Sequence, residues 1–292
     1  SAFENGKNVF CEKPLATAIE DCVAMNEAHR TSGKLFATGF VLRYAPHYRK
    51  LKTLLDSGVI GEILSLEFNE CVPPDHGGHI AKDGWRRLEK FSGGHLLEKC
   101  CHDIDLAHWL TGSLPRKVAS FGGLDFYLPK NAHLPDEYPL SPKGYKLWSG
   151  WNYLVTAEKV SPFTTEKTIV DNQVAILEFA NGVRATFHTN LNAAKPERRF
   201  YIVGTRGTIT ADLYHNFIKV HGVSHQYFGG EGEDHSIGDQ HMHGGADPRI
   251  MAELLESMQT GSEPKSSGAE ACAAPCPCWA SKRPEKKISS LI

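Results

Sequence analysis

Asn8-Val-Phe-Cys-Glu-Lys-Pro-Leu-Ala16 decides how the fold begins. Val9, Phe10 and Cys11 form an apolar run long enough for a strand and too short for a helix. Pro14 biases Lys13 toward extended backbone and stops the strand. Downstream, Thr17-Ala-Ile-Glu20 reads as a capping box. Ala18, Cys22, Met25 and Ala28 recur at helical spacing, His29 and Arg30 suit the negative end of the helix dipole, and Gly33 suits the position just past it. Lys34 to Leu42 reads as a second strand. Strand, helix and strand within about 35 residues make a βαβ unit and a parallel sheet. Ligands of such sheets bind at the carboxyl edge, where Glu12 and Lys13 fall. Lys13 is then a cationic donor or proton carrier; the competing reading is a surface ion pair of little energetic weight.

Composition narrows the function classes. The chain has 292 residues, 41% hydrophobic and 23% charged, a globular profile. Lys+Arg number 32 against 34 Asp+Glu, net charge -2, so no basic surplus exists for a phosphate backbone and nucleic acid is not an expected partner. No apolar run reaches the ~18 residues of a membrane span, and no membrane partner is expected. No signal peptide is visible, and of the 8 Cys five are scattered and three cluster near the end, without the density of a disulfide scaffold, so a reducing, cytoplasmic setting is expected. Cys272, Cys276 and Cys278 lack the paired Cys-x2-Cys spacing of structural zinc, and no metal is assigned.

Past Arg43-Tyr44 the pattern changes. Pro46 to Asp56 reads as a helix closing at Gly58. Strands follow at Ile63–Glu70, Lys117–Phe126, Gln173–Thr189 with an Asn181-Gly182 hairpin signal, Phe200–Leu213 turning at Thr205-Arg-Gly-Thr208, and Phe217–His221. Helices are expected over Gly94–Leu110 and over Asp247–Thr260, the latter with Asp247 as N-cap. Asp125 to Phe163, rich in Pro, Tyr and Trp, reads as a surface excursion. The whole is an α/β remnant of a Rossmann domain followed by an α+β domain with a large open antiparallel sheet.

Beyond Glu12-Lys13-Pro14, one further constellation could carry chemistry, and two histidine-rich stretches are weighed beside it. In Ser92-Gly-Gly-His-Leu-Leu-Glu-Lys-Cys-Cys-His-Asp-Ile-Asp105, one continuous helix puts Glu98 and His102 at i, i+4, with Asp105 and Trp109 on the same side. A carboxylate one turn before a histidine can orient the imidazole and raise its basicity; an exposed charged stripe is the alternative. His235, His241 and His243, and His76-Gly-Gly-His79, read as Gly-rich loops more readily than as metal sites. No Gly-x-Gly-x-x-Gly, P-loop or Gly-x-Ser-x-Gly is present.

The order of several segments resembles the glucose-fructose oxidoreductase / inositol dehydrogenase / rhizopine-catabolism (Gfo/Idh/MocA) family. These are Gly6 to Ala16, Gly39-Phe-Val-Leu-Arg-Tyr-Ala-Pro46, Leu54 to Ile63, Trp85-Arg86, Ser92 to Asp105, Gly204-Thr-Arg-Gly-Thr-Ile209 and His243-Gly-Gly-Ala-Asp247. The resemblance implies hydride transfer between NAD or NADP and a sugar, cyclitol or related polyol, with the chain forming homo-oligomers through its antiparallel sheet. It implies catalytic roles for Lys13, His102 and Glu98, the last standing where many members have Asp. It implies cofactor contacts at Glu12, Lys13, Pro14 and Arg43, and substrate contacts at Trp85 and Asp105. Under it, residues 1–45 are the end of a Rossmann domain, 46–270 the substrate and oligomerisation domain, and 271–292 an irregular tail that Pro275 and Pro277 keep from being helical. It also implies a Gly-rich half of roughly 90 residues ahead of Ser1, without which cofactor binding is impaired and Val9–Cys11 is left as an open edge. Two alternatives remain: an NAD-dependent glycosidase of the same fold, and a non-catalytic fragment.

Overall fold

The computed structural model describes residues 1–82, 84–150, 160–238 and 242–273. His241, Trp151, Tyr153, Pro275, Cys276, Pro277 and Cys278 lie outside them. The N-terminal unit is β1 (Val9–Cys11), α1 (Ile19–Ser32) and β2 (Phe36–Thr38). β1 and β2 pair in parallel, Val9 opposite Phe36 and Cys11 opposite Thr38, as the βαβ pattern requires. Gly33 closes α1 at φ 64°, a left-handed position that spares glycine a steric cost. Two local expectations fail here. The N-cap is Ala18, not Thr17, and makes no side-chain cap bond, so the capping box does not form. The second strand ends at Thr38, because Val41–Tyr44 coils into a 3-10 turn that leads into α2 (Pro46–Asp56).

β3 (Ile63–Cys71) opens an eight-stranded sheet. α3 (Pro74–Lys82), α4 (Glu89–Ser92), α5 (His95–Glu98) and α6 (Cys101–Thr111) follow, then β4 (Pro115–Gly123), β5 (Asn172–Phe179), β6 (Arg184–Asn190), β7 (Arg199–Gly204), β8 (Gly207–Asp212), β9 (Phe217–Gly222) and the short β10 (Glu233–Asp234). α7 (Asp247–Thr260) and α8 (Gly268–Ala273) complete the order. The sheet runs β10-β9-β8-β7-β3-β6-β5-β4. Its pairings are antiparallel except β3 with β6, which run in parallel at the centre. The Asn181-Gly182 turn joins β5 to β6, and Thr205-Arg206 joins β7 to β8, where the sequence signals put them.

Strand alternation sends one face inward. Leu66, Phe68, Ala175, Leu177, Phe179, Ala185, Phe187, Phe200, Ile202 and Ile209 are buried there against α2 and α6. The opposite face leaves Leu64, Phe121, Val174, Ile176 and Tyr201 exposed.

Five further expectations are corrected. His76-Gly-Gly-His79 lies in α3, not in a loop: Gly77 and Gly78 are buried against Leu191, Tyr127 and Trp148, close contacts that only glycine permits. The Pro/Tyr/Trp segment is not a mere surface excursion, since Tyr127, Trp148 and Phe163 build a second core with Val72, Ile80 and Leu191. The helix drawn over Gly94–Leu110 is two pieces, α5 and α6, interrupted at Lys99-Cys100. The first three residues of the expected irregular tail, 271–273, finish α8, while 274–292 lie outside the described residues; α8 packs on β2 and α1, with Gly268 against Phe36 and Ala271 fully buried. Asp247 is the first residue of α7, whose N-cap is Ala246. No helix among the described residues is long and apolar enough to cross a membrane.

Candidate active site

The carboxyl ends of β1 and β2 open into a cavity of about 800 Å³ between the βαβ unit and the sheet domain. Phe10, Glu12 and Lys13 line it from β1, Gly39, Val41 and Leu42 from the segment after β2. α3 contributes His76, His79 and Ile80; the α5–α6 junction contributes Glu98, Lys99 and His102; Arg86, Arg198, Tyr214, His243 and Asp247 close it. The strand end that Pro14 terminates therefore faces a chamber rather than open solvent.

Lys13 is held in place. Its Nζ donates to the Glu98 backbone carbonyl at 2.7 Å and stands 3.9 Å from the Glu98 carboxylate. The same carboxylate accepts from Arg86 Nε at 2.9 Å. Glu98 is 4% exposed and so requires these cations. The expected Glu98–His102 pair is not formed. The break at Lys99-Cys100 takes the two residues out of i, i+4 register, and Glu98 turns to Lys13 and Arg86 instead.

His102 lines the cavity and is itself buried. Its Nδ1 is enclosed without a hydrogen-bond partner, and its ring meets Phe40 edge-on at 5.9 Å. Burial first, then the charges of Lys13, Arg198 and Lys99, hold its pKa well below the ordinary histidine value. The imidazole is thus neutral at neutral pH and can accept a proton. His76 is driven down to about 2 by burial and by Lys99 and neighbouring cationic groups.

A second charged group forms the cavity wall and was invisible to motif reading. Arg198 donates twice to Asp103, at 2.8 Å from Nε and 2.8 Å from Nη2, and Nε lies 3.0 Å from Glu70. Lys99 Nζ lies 3.3 Å from Glu70, to which the Tyr214 hydroxyl donates at 3.1 Å. Burial works to raise Glu70, but Arg198 and Lys99 outweigh it and keep the carboxylate ionised. His95 supports the wall from behind, its Nε2 2.9 Å from Thr189 Oγ1.

Other expected site residues lie elsewhere. Arg43 does not reach the cavity: it forms a buried fork with Asp105, 2.8 Å and 2.7 Å, and also contacts Glu270 and the Lys265 carbonyl. That cluster ties the 3-10 turn to α6 and to the segment before α8, so Asp105 is occupied too. Trp85 is 43% exposed outside the cavity lining, with Arg86 stacked 4.5 Å over its ring. Pro14 is half-buried and shapes the strand end without lining the cavity. Among the described residues no cluster of three or more His, Cys, Asp or Glu could hold a metal ion, and Cys11, Cys22, Cys71, Cys100 and Cys101 are not joined in disulfides.

Comparison with known proteins gives a consistent result. Residues 48–210 match the GFO/IDH/MocA C-terminal domain, and residues 1–40 match the oxidoreductase family with an NAD-binding Rossmann fold. Protein YteT of Bacillus subtilis (strain 168), named as an oxidoreductase, is 26% identical over 85% of this chain and 66% of its own length. The 2,7-anhydro-N-acetylneuraminate hydratase of Escherichia coli (strain K12) is 36% identical over 42% of this chain and 32% of its own. The chain thus spans two thirds or less of these curated relatives. A levoglucosan dehydrogenase solved with NADH and levoglucosan shares the fold at TM-score 0.72 and 19% identity, over 96% of this chain and 71% of that one.

Proposed function

The chain belongs to the Gfo/Idh/MocA oxidoreductase family, and from that premise we propose that its cavity carries out nicotinamide-dependent oxidation or reduction of a sugar, cyclitol or related polyol. The observation that carries this reading is the meeting of Lys13 and a neutral, buried His102 in one cavity at the carboxyl edge of a parallel strand pair.

The residues present suit a nicotinamide. Phe10, Val41 and Leu42 offer apolar surface beside Lys13, and Gly39 carries no side chain; a Cβ there would stand 2.4 Å from the Glu12 carboxylate. These residues with Glu12 would hold the ring end of NAD or NADP. The bound cofactor would supply the redox step, taking up or returning hydride. His102 accepts the hydroxyl proton of the alcohol, which its neutral state allows. Lys13, fixed by Glu98 and Arg86, donates to the same oxygen and stabilises the negative charge that grows as the proton leaves. Glu98 acts through Lys13, as a positioning residue.

In this proposal residues 1–45, joined by the α8 segment, form the cofactor side and the sheet domain forms the substrate side. The exposed apolar face around Phe121, Val174 and Ile176 would pair with a second copy of the chain. The test is a polyol panel assayed with NAD and NADP, following nicotinamide absorbance. His102→Ala is expected to lower turnover by at least about 100-fold. Full activity in that variant would remove His102 from the mechanism.

A further inference from the structure

We infer that the substrate of this cavity carries a carboxylate, as in a uronic or other acidic sugar, seated between Lys99 and Arg198. The inference rests on the reading of the cavity as a polyol site and adds the substrate class.

The argument turns on which partner of each ion pair faces the cavity. Lys13, Arg86, Lys99 and Arg198 all line it. The acids that balance them lie behind. Glu70 and Asp103 are fully enclosed and Glu98 is 4% exposed, and of these only Glu98 touches the lining. The chamber therefore sees the positive ends of these pairs, although the chain as a whole carries net charge -2. At the Lys13 end the balancing acid, Glu98, itself lines the chamber beside Lys13 and Arg86. At the other group Glu70 and Asp103 match Lys99 and Arg198 in charge but stand behind them, outside the lining, so the donors of the two cations face the chamber. Arg198 uses Nε and Nη2 on Asp103, and its Nη1 makes no hydrogen bond among the described residues. Lys99 has one acid at 3.3 Å, Glu70, which it shares with Arg198 and Tyr214. Its side chain is 16% exposed, so a ligand can reach it while bulk water screens it little.

Two cations whose donors face the chamber suit a single negative charge. A carboxylate accepts up to two charge-assisted bonds in one plane, matching the free Arg198 nitrogen and the Lys99 ammonium. A phosphate dianion asks for more neutralisation than cations already shared with buried acids can give. Of the other acids lining the cavity, Asp247 faces the His243 ring at 2.9 Å, and Glu12 belongs to the β1 end.

The test is calorimetric titration of the 292-residue chain, with and without NADH, using D-glucuronate, D-glucuronamide and D-glucose. Glucuronate is expected to bind at least about tenfold more tightly than its neutral amide, the size of one charge-assisted contact, and the advantage should shrink with added salt. Lys99→Met should bring the two ligands to within about threefold, while Lys99→Arg retains the preference. The salt series on the unaltered chain keeps the test decisive if Lys99→Met fails to fold. Equal binding of glucuronate, amide and glucose would overturn the acidic-sugar inference and leave the polyol reading standing. No binding of any of the three, with NADH present, would overturn the inference and count against the polyol reading as well.

Discussion

His47 offers a quantitative test of how this fold tolerates charge. It sits on α2, fully buried, with neither ring nitrogen hydrogen-bonded, edge-on to Tyr48 at 5.1 Å. Burial alone lowers its pKa from 6.5 to about 4. Because the folded value is depressed, the unfolded chain binds the proton first as pH falls. The stability of the neutral ring is therefore fully present above pH 6.5 and is lost progressively as pH drops toward about 4. At about pH 5 the unfolded histidine is nearly all protonated and the folded one nearly all neutral, a loss of about 2 kcal/mol relative to neutral pH. The perturbation is His47→Phe, which keeps a flat ring and removes the titration. Repacking adds an offset of about 1–3 kcal/mol that does not depend on pH, and other titrating groups are common to both proteins. Urea unfolding of both at pH 7.5 and pH 5 should then show the variant gaining about 2 kcal/mol on the parent between the two conditions. A difference constant to within about 0.5 kcal/mol would refute the claim that a buried, unpartnered imidazole is kept neutral here.

Three further outcomes are expected. Asp103→Ala leaves Arg198 buried beside only Glu70 and should cost about 3–5 kcal/mol in chemical denaturation, whereas Arg116→Ala, which breaks an exposed pair with Glu178, should cost under about 1 kcal/mol. Gly78→Ala would put a Cβ 2.2 Å from the Trp148 carbonyl oxygen; the displacement of α3 should lower the melting temperature by roughly 5 °C. Ile176→Glu together with Val174→Glu should reduce self-association in sedimentation velocity while leaving the circular dichroism spectrum unchanged, since both side chains point away from the core.

Most of the fold was legible because two signals agreed. In β5 the alternation of Gln173, Ala175 and Leu177 with Val174 and Ile176 sets a half-buried strand, and Asn181-Gly182 sets the turn that pairs it. The parallel β3–β6 contact was not legible. It brings Ser65 beside Arg184, more than a hundred residues apart, and no local pattern encodes which strand fills the centre of a sheet. The α3 helix was hidden for a different reason. Gly77 and Gly78 weaken helix propensity, and the packing of Trp148 and Tyr127 that makes glycine necessary comes from residues some 50 to 70 positions away.

The site divides along the same line. Lys13 was readable from its position because a proline after a short apolar run fixes a strand end, and strand ends of parallel pairs face ligands. Glu98 was readable as a residue and misread as a partner, since the i, i+4 rule holds only where the helix is continuous, and the chain breaks at Lys99-Cys100. Glu70 carried a signal that went unused. It shares its register with Leu66 and Phe68, so the alternation that buries those two also buries a carboxylate, and a buried carboxylate demands a cation. Following that demand leads to Arg198 and Lys99, and so to the wall of the cavity. In this fold an acid in an inward register thus points to the cations of the site.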